Sequence, residues 1–271
     1  MLLQRILTAA VGIPVTVYLI QSGGWLFSLA IIILALLAWR EYCQMLRCRQ
    51  IEVGMAGGAG MIILLLLSGW CGNSEELLLA VWLLLLLTLL RTLLRWSREP
   101  SFVAAAFSLF GVIYIGFSFL HLLLLRQLNG DATATMGVGT VYLWAAFLAT
   151  WGSDTFAYFV GSLWGRRKLC PAISPRKSVE GFIGGVLGAV VAVLIFGYFT
   201  EMPLMHRLMT GLIGGLVSPV GDLAESALKR FCGVKDSGSL LPGHGGVLDR
   251  FDSILFSVPA VYYYVQLIVL N

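Results

Sequence analysis

Long apolar segments alternate with short polar connections along the chain. Nine such segments can be read, at residues 6–21, 25–39, 54–70, 77–94, 101–125, 141–164, 180–200, 207–221 and 253–270. A helix needs about 20 apolar residues to cross a bilayer, and the first, second and eighth segments are shorter than that. The pattern predicts an all-α, polytopic integral membrane protein with nine transmembrane helices, and eight helices are the alternative.

The basic residues give an independent orientation. If nine helices cross the membrane and the N-terminus is cytoplasmic, only Arg126 and Arg207 of the 18 lysines and arginines lie on the outer side. This imbalance is what the positive-inside rule expects. Two polar loops that carry motifs, at residues 165–180 and 222–252, then lie on the cytoplasmic side, where nucleotides are.

Composition agrees with a membrane protein and divides the chain in two. Hydrophobic residues make up 59% of the 271 positions and charged residues 12%, against about 45–50% and about 25% in soluble domains. The net charge of +4 reflects topology and contact with anionic lipids, so it predicts no nucleic-acid partner. Residues 1–140 form a leucine-rich transmembrane region with no evident chemistry. Residues 141–271 form a transmembrane region with candidate catalytic loops.

The segment SPVGDLAESALKRF (218–231) predicts a helix with a polar face. Asp222, Glu225, Ser226 and Lys229 follow at positions i, i+3, i+4 and i+7, so their side chains share one side of the helix. Carboxylates at a membrane edge are costly unless they are paired or bound to a metal ion. This stripe is therefore a candidate site.

A second pair of acids follows a flexible stretch. Asp249 and Asp252 repeat the i, i+3 spacing after KDSGSLLPGHGG, whose glycines and proline cannot form a stable helix. Facing carboxylates suit Mg²⁺, which also contacts substrate phosphates, while glycine N–H groups and basic side chains hold the phosphates. A helix-capping role is the alternative for Asp252, and a phosphate contact is favoured over a catalytic base for His244.

Residues 149–185 hold a second polar constellation. Asp154 lies in an otherwise apolar helix, so it is a functional candidate, with a salt bridge as the alternative. ISPRKSVEG (173–181) supplies serine and basic side chains just before a helix, which suits anion binding. The glycines of GFIGGVLG (181–188) and GLIGGL (211–216) predict close helix–helix packing.

These motifs resemble a known family. SALKRFCGVKDSGSLLPGHGGVLDRFD (226–252) matches every fixed position of the phosphatidate cytidylyltransferase (CDP-diacylglycerol synthase) signature, S-x-x-K-R-x4-K-D-x-G-x2-[LIF]-P-x-H-G-G-x2-D-R-x-D. SDTFAYFVGSLWGRRKL and ISPRKSVEGFIGG also look like segments of that family. The sequence departs from it at Ser218-Pro219, where a proline is expected to bend the helix that carries Asp222.

The resemblance implies an enzyme of phospholipid biosynthesis that converts CTP and phosphatidic acid to CDP-diacylglycerol and pyrophosphate with Mg²⁺, and a second cation stays an open question. The implied catalytic residues are Asp222, Asp249, Lys229 and Arg250. The implied metal ligands are Asp222 and Asp249, with Glu225 and Asp252 in secondary positions. The implied substrate contacts are Ser174, Arg176, Lys177, Ser226, Arg230, Lys235, Asp236, His244, Gly245 and Gly246.

We expect a bacterial-type inner (plasma) membrane protein with its active site on the cytoplasmic side, and whether it forms a homodimer stays an open question. Two other functions are kept open. A transporter or lipid flippase would use Asp154 and the glycine-rich helices without consuming CTP. Another Mg²⁺-dependent CDP-lipid enzyme, a CDP-alcohol phosphotransferase, is disfavoured because its DG-x2-AR…G-x3-D-x3-D motif is absent.

Overall fold

The computed structural model describes residues 2–71, 74–94, 102–129, 136–240 and 245–270. In chain order, its helices are α1 (Leu2–Ser22), α2 (Gly24–Arg47), α3 (Met55–Cys71), α4 (Ser74–Leu94), α5 (Phe102–Gly111), α6 (Ser118–Gln127), α7 (Val138–Trp164), α8 (Val179–Phe199), α9 (Leu204–Cys232), α10 (Leu248–Phe251) and α11 (Ile254–Tyr264). A π-helical turn at Val112–Phe117 joins α5 to α6, and another at Val265–Val269 extends α11.

Each of the nine predicted apolar segments coincides with a described helix, which confirms that the fold is nearly all-α. Four described helices are long and apolar enough to cross a membrane: Gly24–Arg47, Glu76–Leu94, Phe102–Gln127 and Val179–Phe199. Three further apolar helices are shorter: Ala10–Ser22, Met55–Trp70 and Ile254–Val269. The count of nine spans and the cytoplasmic N-terminus stay predictions.

The predicted loop at residues 165–180 contains a β-hairpin. Strand β1 (Lys168–Cys170) pairs antiparallel with β2 (Ser174–Ser178), with an irregularity in register between them. The strands have three and five residues, too few for an alternating pattern to stand out in the sequence. The hairpin therefore could not be predicted from hydrophobic periodicity.

The chain divides into two compact units. The first combines Met1–Leu124 with Phe231–Arg250, and the second combines Leu125–Arg230 with Phe251–Asn271. The segment after α9, which carries much of the signature, thus belongs with the N-terminal helices. The predicted boundary between residues 140 and 141 stays a prediction.

Aromatic packing holds the end of α2 in the first unit. Trp39 and Tyr42 stack with their ring centroids 5.5 Å apart, and both side chains are almost completely buried. The Tyr42 hydroxyl donates a hydrogen bond to the carbonyl oxygen of Phe107, at 2.8 Å. Because a buried phenol needs such a partner, this bond fixes the last two turns of α2 against α5.

Glycines bring the helices of the second unit close together. A Cβ atom at Gly184 of α8 would lie 2.5 Å from Cγ2 of Val160 on α7. Likewise, a Cβ atom at Gly211 of α9 would lie 2.7 Å from the Cα atom of Val190 on α8. Only glycine fits such approaches, so the predicted role of both glycine segments in helix packing is confirmed. Helix α9 is continuous through Pro219 and carries Asp222 near its polar end.

Candidate functional site

The polar face predicted for α9 is present in the second unit. The Ser226 hydroxyl donates to Asp222 Oδ1 at 3.3 Å, and the Lys229 ammonium forms an ion pair with the Glu225 carboxylate. Both contacts join residues four apart, as the helical spacing predicted. The Glu225 side chain is fully buried, so Lys229 supplies the positive charge that a buried carboxylate requires.

The β-hairpin adds a second lysine to this acidic face. Lys177 Nζ, on β2, lies 2.5 Å from Asp222 Oδ2, and both side chains are about two-thirds to three-quarters buried. Arg230 Nε donates to the carbonyl oxygen of Ile173 at 3.4 Å. The hairpin and the polar end of α9 therefore contact each other through charged side chains.

Glu180 fixes the base of the hairpin. Its carboxylate accepts hydrogen bonds from the backbone N–H groups of Arg166, at 3.0 Å, and Arg167, at 3.1 Å. Two residues before Glu180, the Ser178 hydroxyl caps α8 by accepting a hydrogen bond from the N–H of Gly181, at 3.1 Å. These bonds give Glu180 a structural role where the hairpin joins α8.

Asp252 lies in the turn before α11, outside the apolar helix that follows. Burial and, next, the negative charge of Asp222 raise the pKa of its carboxyl to about 7, with a smaller contribution from Asp154. A hydrogen bond from Ser253 N–H to Asp252 Oδ1, at 2.6 Å, acts in the opposite direction. Three carboxyls of the second unit thus interact electrostatically.

The negative charges of Asp154, Asp222 and Asp252 favour the binding of a divalent cation. Among the described residues, no three histidine, cysteine or acidic side chains already converge as a metal centre. Mg²⁺ does not require such a centre, because one or two carboxylates and substrate phosphates can hold it while it keeps several waters. The donor chemistry of Asp222 and Asp252 therefore fits Mg²⁺, since positive charge would relieve their mutual repulsion.

A cavity of about 460 Å³ opens beside these groups within the second unit. Both charged and apolar residues line it. Its lining includes Asp154, Tyr158, Arg176, Lys177, Phe182 and Asp222. A cavity with acids, cations and apolar walls can accommodate a phosphate group that is attached to an apolar molecule.

The remaining predicted metal ligand, Asp249, lies in the first unit. Its Oδ2 atom accepts hydrogen bonds from Ser237 N at 2.9 Å, from Ser237 Oγ at 2.9 Å and from Gly246 N at 2.8 Å. Gly245 adopts a positive φ of 80°, and a Cβ atom there would lie 2.6 Å from Asp249 Oδ2. Gly245 and Gly246 therefore both lie against the Asp249 carboxylate.

Glu41, near the end of α2, was missed in the sequence. It is only 5% exposed, and its carboxylate accepts backbone hydrogen bonds from Val247 and Leu248 at 2.9 and 3.0 Å. The available signal was a carboxylate near the end of a long apolar helix, in WREYCQ, because such a group needs partners.

Other predicted site residues occupy the surfaces of the two units. The exposed side chains include Arg176, Arg230, Lys235, Asp236 and Arg250, while Ser174 is partly buried. His244 lies outside the described residues. Asp222 and Asp249 belong to different units, so their joint role as metal ligands stays a prediction.

Comparison with known proteins identifies the family. A sequence model described as the cytidylyltransferase family matches residues 3–268. Relatives named phosphatidate cytidylyltransferase include one from Staphylococcus haemolyticus, 37% identical over 94% of this chain and 95% of its own length. Another, from Bacillus subtilis, is 36% identical over 97% of both chains. Because the family model matches almost the entire length of this chain, the chain belongs to the cytidylyltransferase family.

Proposed function

We propose that this protein is a phosphatidate cytidylyltransferase of phospholipid biosynthesis. A phosphate oxygen of phosphatidic acid attacks the α-phosphorus of CTP, the bond to the β-phosphate breaks, and pyrophosphate leaves as CDP-diacylglycerol forms. The observation that carries the proposal is the placement of Asp222, Asp252 and Lys177 together in a member of this family. They supply both signs of charge that a reaction between two phosphates requires.

The nucleophile needs no general base. A phosphomonoester has a second pKa of about 6, so phosphatidic acid is already ionised at neutral pH. The protein must instead position two negatively charged substrates and reduce their repulsion. Lys177, Lys229, Arg230 and Arg250 are the proposed phosphate partners, together with Ser174, Arg176 and Lys235.

Mg²⁺ is the proposed cofactor, held by Asp222 and Asp249 with Asp252 as an additional ligand. When bound, it would neutralise negative charge on the CTP phosphates. The raised pKa of Asp252 beside Asp222 supports this assignment. The buried pair of Glu225 with Lys229 favours a different task for Glu225, which is to orient Lys229.

The proposed location is the bacterial inner (plasma) membrane, with nine helices, a cytoplasmic N-terminus and the site on the cytoplasmic face. Four helices with the length and composition of membrane spans support an integral membrane protein. The distribution of lysine and arginine supports the orientation. Cysteine labelling from either side of sealed vesicles tests it, and light scattering of the purified protein decides between monomer and homodimer.

The activity test uses purified protein in detergent with radiolabelled CTP and phosphatidic acid. We expect equal amounts of CDP-lipid and pyrophosphate with Mg²⁺, and neither with EDTA. Asp249→Asn should lower turnover by at least about 100-fold, since the charge stabilisation it supports is worth several kcal/mol. Absence of CDP-lipid from folded wild-type protein would refute the proposal, and lipid movement without CTP use would favour a flippase instead.

A further inference from the structure

Glu41 carries a buried carboxylate in the half of the chain to which the sequence assigned no chemistry. It lies in the last two turns of α2 and is 5% exposed. Its Oε1 atom accepts from Val247 N at 2.9 Å. Its Oε2 atom accepts from Leu248 N at 3.0 Å and shares the one hydroxyl proton of Ser237, whose Oγ lies 3.1 Å away, with Asp249. The two backbone hydrogen bonds and this shared one offset the cost of removing a carboxylate from water.

The donors to Glu41 come from both ends of one loop. Ser237 precedes the glycine-rich stretch, and Val247 and Leu248 follow it, directly before Asp249. One side chain of α2 therefore holds the two ends of the loop together. Because Leu248 is covalently joined to Asp249, the position of Glu41 also fixes the backbone from which the Asp249 side chain extends.

Ser237 links the two carboxylates directly. Its hydroxyl oxygen lies 3.1 Å from Glu41 Oε2 and 2.9 Å from Asp249 Oδ2, while its backbone N–H donates to the same Asp249 oxygen at 2.9 Å. A change in Glu41 would thus reach Asp249 through a shared hydroxyl as well as through the backbone. Networks of this kind couple their members energetically.

Two glycines let the loop approach Glu41. A Cβ atom at Gly246 would lie 2.4 Å from Glu41 Oε2 and 2.2 Å from Ser237 Oγ. A Cβ atom at Gly238 would lie 2.7 Å from Glu41 Oε1. All three distances are too short for a Cβ atom unless the Glu41 or Ser237 side chain moves. Packing around Glu41 is thus a reason for these glycines that is separate from phosphate binding.

Arg49, two residues after α2 ends, contacts Phe231 in the last turn of α9, just before the loop. Its Nε atom donates a hydrogen bond to the carbonyl oxygen of Phe231, and its guanidinium carbon lies 5.5 Å from the centroid of the Phe231 ring. Phe231 also stacks on Phe107 with centroids 5.4 Å apart. The chain is therefore held in place at Phe231, before the loop, as well as by the contacts of Glu41 within the loop.

We propose that Glu41 is a positioning residue, which holds residues 235–240 and 245–250 of this loop in the arrangement that presents Asp249 to the reaction. The proposal rests on the role of Asp249 given under the proposed function. The hydrogen bonds described for the Glu41 side chain all come from the loop. Loss of Glu41 should therefore lower turnover and the response to Mg²⁺ while leaving the affinity for phosphatidic acid unchanged.

The test compares Glu41→Gln with Glu52→Gln, a matched change at an exposed glutamate of the same unit. A glutamine places an amide N–H₂ group against N–H and O–H donors, so at least one hydrogen bond is lost. In Glu41→Gln without substrate, hydrogen exchange of the Val247 and Leu248 amides should accelerate by about tenfold or more, as expected for loss of ~1.4 kcal/mol of protection. In Glu52→Gln, the Val247 and Leu248 amides should exchange at the wild-type rate.

Kinetics supply the second readout. We expect Glu41→Gln to lower kcat by about tenfold or more and to raise the Mg²⁺ concentration for half-maximal activity, with KM for phosphatidic acid unchanged. Gly246→Ala should have the same signature, and the double variant should be less than additive, because both changes disrupt one contact. If Glu41→Gln does not fold, Ser237→Ala removes the shared hydroxyl and should give the same pattern at smaller size.

The outcomes separate this inference from the proposed function. Unchanged exchange and unchanged kinetics in Glu41→Gln, alongside an inactive Asp249→Asn, would overturn the role of Glu41 alone. A fully active Asp249→Asn would overturn the role of Asp249 and, with it, the reason for holding the loop. Equal acceleration of exchange in Glu52→Gln would also refute the inference, since the effect would then be general loosening.

Discussion

Lys177 on the β-hairpin lies 2.5 Å from Asp222 on α9, joining Nζ to Oδ2. The two residues are 45 positions apart in the sequence, and each belongs to a motif that was identified separately. Lys177 was predicted to bind substrate phosphate and Asp222 to bind the cation. We propose from this contact that one pocket serves both tasks, and that Lys177 balances the charge of Asp222 when no cation is bound.

Replacing Lys177 should affect catalysis more than stability. Partly exposed ion pairs contribute about 0.2–1 kcal/mol to folding, so Lys177→Met should shift the midpoint of thermal unfolding by only a few degrees. Loss of a phosphate contact should instead lower kcat/KM for CTP by about tenfold or more. Both quantities can be measured on one detergent-solubilised preparation.

Lys168→Met is the matched control, because Lys168 is an exposed lysine on the other strand of the same hairpin. It should retain nearly full activity. If both variants lost activity equally, the hairpin would act through its net charge, and a specific role of Lys177 would be excluded.

Asp222→Asn should remove at least about 100-fold of the activity, because a single principal carboxylate supports several kcal/mol of charge stabilisation. The variant should fold, since asparagine keeps the side-chain oxygen that accepts the Ser226 hydroxyl. CDP-lipid formation is the measurement. Glu201→Gln, at an exposed residue between α8 and α9, is the control, and a similar loss there would contradict a local effect.

In EDTA, the raised pKa of Asp252 predicts that stability falls as pH rises. In the unfolded chain this carboxyl ionises near its ordinary pKa of 3.8, but in the folded protein it ionises near 7. The unfolded state therefore loses the proton first, and the folded state is progressively disfavoured between about pH 4 and pH 7. Asp252→Asn should lack this loss, so its melting temperature should exceed that of the wild type at pH 8 more than at pH 5.

Added Mg²⁺ should offset the loss of wild-type stability at high pH. A cation that binds the ionised carboxylates stabilises only the folded state, so added Mg²⁺ should raise the melting temperature of the wild type more at pH 8 than at pH 6. Asp252→Asn should show a smaller increase. An identical response of the two proteins at both pH values would rule out Asp252 as a contributor to the cation site.

Gly184→Ala tests the close packing of α7 and α8. Its added Cβ would lie 2.5 Å from Val160 Cγ2 and 2.6 Å from Val160 Cβ, which a rotamer change cannot relieve. Overpacking of this kind costs about 1–3 kcal/mol and should lower the melting temperature. Gly57→Ala in α3, where no heavy atom lies within 4 Å of the new Cβ, should not. Equal melting temperatures for the two variants would contradict the packing.

Local spacing accounts for what the sequence could predict. Apolar runs predicted the helices, and the spacing on α9 predicted the shared face on which Ser226 bonds Asp222 and Lys229 pairs with Glu225. Periodicity carries no information about which distant residues meet. The contact of Lys177 with Asp222 depends on a hairpin too short to leave a pattern.

Glu41 shows the same limit more strongly. Its cost as a buried carboxylate was readable from WREYCQ, but its partners lie 196 to 207 residues further along the chain. Asp249 was predicted from its motif, whereas the bonds that occupy its Oδ2 atom depend on a turn with positive φ at Gly245. The motif predicted site residues such as Asp249 without indicating which residues position their side chains.

The hydrogen bond from Val247 to Glu41 has a consequence for how the protein is made. The two residues are 206 positions apart, and chains are synthesised at about 5–20 residues per second, so Glu41 precedes its partner by roughly 10–40 s. During that interval α2 carries a carboxylate without the donors that later surround it. The first unit is therefore completed only after residues 231–250 have been synthesised, and a chain that stops before residue 247 lacks the backbone donors to Glu41.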